Sequence, residues 1–195
     1  GDSFWIGEVP GSSIVRWDGS DWKSLPGGIY GGIVRALTIY EGDLVVGGGF
    51  TVPVDGAGNG IVRWDGMNWH PLGSGMDGEV RALAQYDGDL IAGGRFHIAG
   101  CVPANHIARW DGTDWHSLGT GLSYSSGADV YALTVFEGEL IAGGYFTSAG
   151  DAPAYSIARW NGSSWRPLGS GMDHVVTALA VYQGELIAGG GFSRA

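Results

Sequence analysis

Chemistry in this chain has to come from residues that depart from its repetition. Nine stand out: Arg95, His97, Asn105, His106, Tyr124, Tyr145, Tyr155, Asp173 and His174. A guanidinium, imidazoles, a carboxylate, an amide and phenols can hydrogen-bond and stack on a ligand, so these nine form the candidate binding set. Three histidines could also hold a metal ion. His97, His106 and His174 are assigned to different repeats, however, and no zinc-ligand spacing accompanies them, so no metal is expected. Cys101 is the only cysteine, which rules out an internal disulfide framework.

Hydrolytic chemistry finds less support. Glycoside cleavage needs two carboxylates at a set separation across a cleft. Nearly all the acids here are periodic turn residues, and only Asp129 and Asp173 break the pattern. Asp18, Asp65 and Asp111 each precede Gly and are followed by Trp four positions on. They are expected to cap their own turns and to meet Arg16, Arg63 and Arg109 on the same side of the strand. The sequence has no Gly-x-Ser-x-Gly nucleophile turn and no Gly-rich phosphate loop opening a helix. The chain therefore reads as a non-enzyme without a cofactor.

What must position the nine residues is a repeat. Arg-Trp-Asp-Gly begins at Arg16, Arg63 and Arg109, and at Arg159 with Asn161 in place of Asp, giving spacings of 47, 46 and 50 residues. Gly-Gly-x-Phe keeps step with it. Within one unit, Val130–Phe136 and Glu139–Phe146 are β-branched and aromatic runs joined by Glu137-Gly138, a tight hairpin signal. A looser segment from Thr147 to Ser156 leads to Ile157–Trp160, a turn at Asn161-Gly162, and a fourth strand Ser164–Leu168 whose Pro167 suits an edge. Four antiparallel strands per repeat describe one blade of a β-propeller. Ala36, Ala82, Ala132 and Ala178 share one position on the first strand, where blades would converge. The paired glycines (Gly47-Gly48, Gly93-Gly94, Gly143-Gly144, Gly189-Gly190) leave a gap over which Trp17, Trp64, Trp110 and Trp160 are expected to pack.

These phrases resemble the kelch repeat, and most closely the kelch-like propeller repeats of secreted bacterial proteins. Ile107–Gly112 (Ile-Ala-Arg-Trp-Asp-Gly) and Gly143–Gly150 (Gly-Gly-Tyr-Phe-Thr-Ser-Ala-Gly) carry the likeness, which spans residues 14–192. Trp stands where kelch usually has Tyr before its final Trp. The resemblance implies an all-β propeller and a secreted or cell-surface location, and it brings no catalytic residues. No basic, apolar leader stands at Gly1, so a signal would already have been removed or be missing.

The domain is expected to span 1–195 with terminal half-blades at 1–32 and 175–195. Residues 14–29 supply a third and a fourth strand, and 175–192 a first and a second. Joined, they would complete a fourth blade and leave no open edge, the favoured arrangement, with a monomer. A fragment of a larger propeller, or two copies sharing an eight-bladed ring, are the alternatives. The loops of one face are long and variable (Trp5–Ser13, Thr51–Gly60, His97–His106 and Thr147–Ser156, with Gly27–Gly32, Gly75–Glu79, Gly121–Asp129 and Gly171–His174), while the other face has short, near-identical turns. Binding usually resides on variable loops of a rigid scaffold. A net charge of −10 disfavours nucleic acid, and no apolar run of about 18 residues predicts a membrane span. Binding of a protein or glycan partner on the variable face, as a non-catalytic scaffold or a lectin-like module, is the expected function.

Overall fold

β-branched and aromatic runs broken by Gly-containing turns give a structure made of strands alone. The computed structural model describes residues 13–29, 32–51 and 58–195, and contains no helix among them, hence none long and apolar enough to cross a membrane. Most of the expected loops Trp5–Ser13 and Thr51–Gly60, and part of Gly27–Gly32, lie outside the described residues.

In chain order, β1 (Val15–Trp17) and β2 (Trp22–Ser24) form a two-stranded antiparallel sheet. β3 (Ile33–Tyr40), β4 (Asp43–Gly49), β5 (Ile61–Trp64) and β6 (Trp69–Pro71) form a four-stranded antiparallel sheet in sequence order. The next unit has β7 (Glu79–Tyr86) and β8 (Asp89–Arg95), a small hairpin β9 (Ile98–Ala99) and β10 (Val102–Pro103), then β11 (Ile107–Trp110) and β12 (Trp115–Ser117). Its four-stranded sheet runs β7-β8-β11-β12. After β13 (Leu122–Ser123), the third unit repeats the plan with β14 (Asp129–Phe136), β15 (Glu139–Tyr145), β16 (Ser148–Ala149), β17 (Ala152–Pro153), β18 (Ile157–Trp160) and β19 (Trp165–Pro167). Its sheet runs β14-β15-β18-β19, and β13 pairs with the small hairpin β16–β17. β20 (Val176–Tyr182) and β21 (Glu185–Gly190) close the series as a hairpin. The small hairpins lie inside segments expected to be loose, because two-residue strands leave no periodicity to read.

The acid-Gly turns behave as their residues require. Glu41-Gly42, Asp87-Gly88, Glu137-Gly138 and Gln183-Gly184 all have positive φ at both positions, the backbone of a two-residue hairpin whose twist matches its strands. Asp18, Asp65 and Asp111 cap their turns as expected: each Oδ1 accepts the amides two and three residues on, at 2.7–2.9 Å. Those bonds hold Asp18 and Asp65 at a pKa of about 2, and Asp111 lower still. Arg16 acts on Asp18 through its charge, as expected, but Arg63 and Arg109 pair elsewhere. Arg63 meets Asp43, Arg109 meets Asp89 at 2.5 Å and Arg159 meets Glu139 at 3.1 Å, all across the second and third strands. His70 and His116 take the turn carboxylates instead, at 2.7 Å.

The core lies in four successive layers between neighbouring sheets. Tyr40, Val45 and Ile61 face Val80, Leu90 and Ala92; Ile91 and Ile107 face Val130, Leu140 and Ala142; Ile141 and Ile157 face Val176. The fourth layer joins Ile14 and Leu25 to Val46 and Val62. The gap at the paired glycines is filled by the next sheet's first strand, not by Trp. A Cβ added at Gly47, Gly93 or Gly143 would lie 2.6 Å from Cγ1 of Val80, Val130 or Val176. The tryptophans instead pair across the third and fourth strands, with ring centroids 5.1–5.6 Å apart. The fourth-strand Trp also ties sheets together: Nε1 of Trp69, Trp115 and Trp165 donates to the carbonyls of Pro26, Leu72 and Leu118.

Among the described residues the expected union of the two end hairpins is not seen. β1–β2 and β20–β21 are separate two-stranded sheets at opposite ends of the series. Each is held by its sequence neighbour, through Trp69 and Pro26 at one end and through Val176 against Gly143 at the other.

Candidate ligand-binding edge

Strand register decides where the variable residues gather. Glu79, at the start of β7, lies opposite Arg95 at the end of β8, and Asp129, at the start of β14, lies opposite Tyr145 at the end of β15. These positions share one edge of their sheets with the loops His97–His106 and Gly121–Asp129. The hairpin turns at Asp87-Gly88 and Glu137-Gly138 lie at the other edge.

Along the first strands runs a row of alternating charge. Arg35 Nε donates to Glu79 Oε1 at 2.8 Å, Arg81 Nη2 lies 2.8 Å from Glu79 Oε2, and Arg81 Nη1 lies 3.1 Å from Asp129 Oδ2. The Arg81 guanidinium sits 4.9 Å from the centroid of the Tyr131 ring, a cation–π distance. Burial raises the Glu79 carboxyl, but the bond to Arg35 and the charge of Arg81 outweigh it and leave its pKa lowered. At Asp129 burial wins, and its pKa is raised although Arg81 opposes the shift. Burial likewise raises Tyr131, with the Asp129 charge adding to it. Asp129 Oδ1 and Arg81 Nε are buried and carry no hydrogen bond. One acceptor and one donor in this row therefore retain bonding capacity, which is costly away from water.

Two aromatic pairs flank the row. His97 and His106 prove to be the two ends of one loop rather than residues of different repeats, and their rings meet edge to face at 4.8 Å. His106 is 4% exposed, its Nδ1 is buried without a hydrogen bond, and burial followed by the neighbouring His97 lowers its pKa to about 4. It is neutral at physiological pH. Tyr124 and Tyr145 also meet edge to face at 4.8 Å, with His174 6.2 Å beyond Tyr145. The bond to the Tyr124 hydroxyl raises the Tyr145 pKa. Arg95 is exposed and belongs to no ion pair among the described residues, while its charge acts on both Asp129 and His106.

The nine expected residues thus divide. Arg95, His97, His106, Tyr124, Tyr145 and His174 share the variable edge. Asn105 is engaged in its loop: Nδ2 donates to the Thr120 carbonyl at 3.0 Å and its own carbonyl accepts from Leu122. Asp173 holds the backbone amides of Ser193 and Arg194, as Asp77 holds those of His97 and Ile98. Tyr155 and Asp173 line a separate shallow pocket of about 270 Å³ with Met172 and Arg194.

Arg35, Glu79, Arg81 and Tyr131 were not foreseen, although their signal is present. Matched positions 35, 81, 131 and 177 read Arg, Arg, Tyr and Thr, and positions 33, 79, 129 and 175 read Ile, Glu, Asp and Val, while the neighbouring Val and Ala positions are constant. Among the described residues, no group of three His, Cys, Asp or Glu side chains is placed to hold a metal ion. No family model matches this chain, and no curated protein matches it.

Proposed function

We propose that the chain is a secreted or cell-surface β-propeller of kelch-like repeats that binds a partner on its variable edge and performs no catalysis. The three four-stranded antiparallel sheets packed first strand to first strand support the propeller reading. One observation carries the binding reading: six departures from the repeat, Arg95, His97, His106, Tyr124, Tyr145 and His174, share one edge with a row of alternating charge. Exposed Arg95 would be the charged contact for a partner presenting carboxylate, amide or hydroxyl groups.

A glycan is the second reading, favoured by Tyr124, Tyr145 and His174. Aromatic faces beside charged hydrogen-bonding groups suit the apolar face and hydroxyl rim of a sugar ring. Among the described residues one such cluster is present, which favours one site over one per repeat for the lectin-like form.

The test is to titrate the wild-type chain and the variant Arg95→Ala/Tyr145→Ala against arrayed peptides and arrayed oligosaccharides. Specific binding that weakens by about tenfold or more in the variant is expected, the loss of one to two good interfacial contacts. Binding indifferent to both substitutions would remove this edge as the site. Turnover of an arrayed glycan by the wild type would overturn the non-catalytic reading.

A further inference from the structure

A second concave site lies away from the variable edge, between two sheets that are both complete. A pocket of about 190 Å³ opens between the second and third four-stranded sheets, beside the turns at Asp87-Gly88 and Asn161-Gly162. Ile91 and Leu118, each at most 1% exposed, give it an apolar lining that reaches into the core. Tyr86 from the second sheet and Trp160 from the third add aromatic walls. Asp87, Asp89 and Arg109 supply its charges.

Of those charges only one is unmatched. Arg109 Nη1 lies 2.5 Å from Asp89 Oδ2, so these two offset each other. Asp87 is exposed and joins no ion pair among the described residues. Its carboxylate acts on the ring beside it: burial, followed by the charges of Asp87 and Glu139, raises the Tyr86 pKa. Glu139 is itself held by Arg159 at 3.1 Å. The pocket therefore keeps one negative charge next to two aromatic rings and an apolar interior. A metal ion is poorly served there, since no three His, Cys, Asp or Glu side chains converge among the described residues. An alkylated ammonium is well served, because aromatic rings attract its diffuse charge and its alkyl groups gain from burial.

The preceding interface shows why the space is open. Its matched residues are Tyr40, Glu41, Trp110 and Gly112. There a Cβ on Gly112 would lie 3.9 Å from Glu41 Oε1 and 4.0 Å from the Tyr40 hydroxyl. On Gly162 it would meet only the Tyr86 hydroxyl, at 3.7 Å. Asp87 is one methylene shorter than Glu41, and its carboxylate does not reach over the turn. Tyr40 is 5% exposed, whereas Tyr86 remains half-buried. We propose that this pocket binds a small alkylated ammonium group, with Asp87 as its counter-ion and Tyr86 and Trp160 as its aromatic walls. The site is separate from the variable edge, because Arg95 and Tyr145 stand at the far ends of the strands that follow the acid-Gly turns.

Choline and its uncharged analogue, with carbon in place of nitrogen, are the probes. Each is titrated into the isotope-labelled 195-residue chain and followed by amide chemical shifts. Choline is expected to bind in about the millimolar range and to shift the amides of Asp87, Leu118 and Gly162. The uncharged analogue should bind about tenfold more weakly. Asp87→Asn removes the counter-ion while suiting the left-handed backbone at φ 53°, and should weaken choline by about fivefold. Tyr86→Leu should weaken it by a similar factor. Tyr86→Phe should not, because the ring persists, and Phe136 already holds the matched position in the third sheet. The proposal is overturned by the absence of shifts with choline well above millimolar, by equal affinity for the uncharged analogue, or by affinity indifferent to both Asp87→Asn and Tyr86→Leu. Shifts confined to the variable edge would overturn it as well, and would leave the reading of that edge standing.

Discussion

Gly143 and Gly189 occupy the same place in the same motif and live in opposite surroundings. At Gly143 the absent side chain admits Val176 of the next sheet; at Gly189 it admits nothing. The sequence around each is nearly identical, Glu-Leu-Ile-Ala-Gly-Gly in both. Local sequence therefore specifies strand, turn and register, while a neighbouring sheet supplies the burial that makes the same residues count energetically. Interior sheets are apolar on both faces because each face belongs to a different layer of core. The end hairpin keeps the same composition with only one face covered.

The largest contrast is expected for Ile141→Ala against Ile187→Ala. Ile141 is 1% exposed, and its truncation should cost about 2–5 kcal/mol of unfolding free energy through lost burial and a residual cavity. Ile187, at 46% exposed, should cost about 1 kcal/mol or less in a dilute sample. Urea titration of both variants measures this. Equal losses would mean that the end face is covered in solution.

Next comes overpacking. Gly143→Val drives new atoms into Val176 and Leu179 and should cost about 1–3 kcal/mol. The same change at Gly189 should leave the midpoint where it was. A matched loss at both positions would remove the open-socket description of the last hairpin.

How much of this was legible beforehand also follows from the contrast. Hairpins, strand order and the capping role of Asp18, Asp65 and Asp111 are local matters, written in neighbouring residues, and the sequence shows them plainly. Val80 filling Gly47 and Arg63 choosing Asp43 over Asp65 depend on which strands lie side by side, so residue type alone favoured the wrong partners. The small hairpins at Ile98–Pro103 and Ser148–Pro153 were too short to declare themselves. At the candidate site, exposed residues such as His97 in its loop and Tyr145 at a strand end were visible as breaks in a repeat. Glu79 and Arg81 were hidden because they interrupt the pattern inside a strand that otherwise reads as scaffold.

Burial sorts the polar groups too. His106, inside the second unit, has a folded pKa of about 4 against 6.5 unfolded, so the unfolded chain takes up its proton first as the pH falls. Its contribution to stability is complete above about pH 6.5 and is lost progressively toward pH 4. His106→Asn is the probe, since Asn tolerates the left-handed backbone at φ 75° better than most residues. Unfolding free energy measured at pH 7, 5.5 and 4 should fall less steeply in the variant. A slope unchanged by the substitution would place the acid sensitivity elsewhere.

The smallest effect should ignore the contrast altogether. The Asx turn at Asp18, on the exposed first hairpin, uses the same two amides as the one at Asp111 in an interior sheet, and Asn161 makes both bonds with an amide oxygen at 3.0 and 2.9 Å. Asp18→Asn should therefore leave the neutral-pH midpoint unmoved, because the acceptor survives without its charge. The pH dependence should change. With a folded pKa of about 2 against 3.8 unfolded, the Asp18 carboxylate contributes stability above about pH 4 that disappears as the pH falls toward 2. The Asn variant lacks that loss. Acid titrations of the two chains should then coincide above about pH 4 and separate as the pH falls toward 2, the Asp18 chain losing stability that the Asn variant keeps. A turn that needed its neighbours' packing would instead weaken at neutral pH, and would weaken more at the bare end than inside.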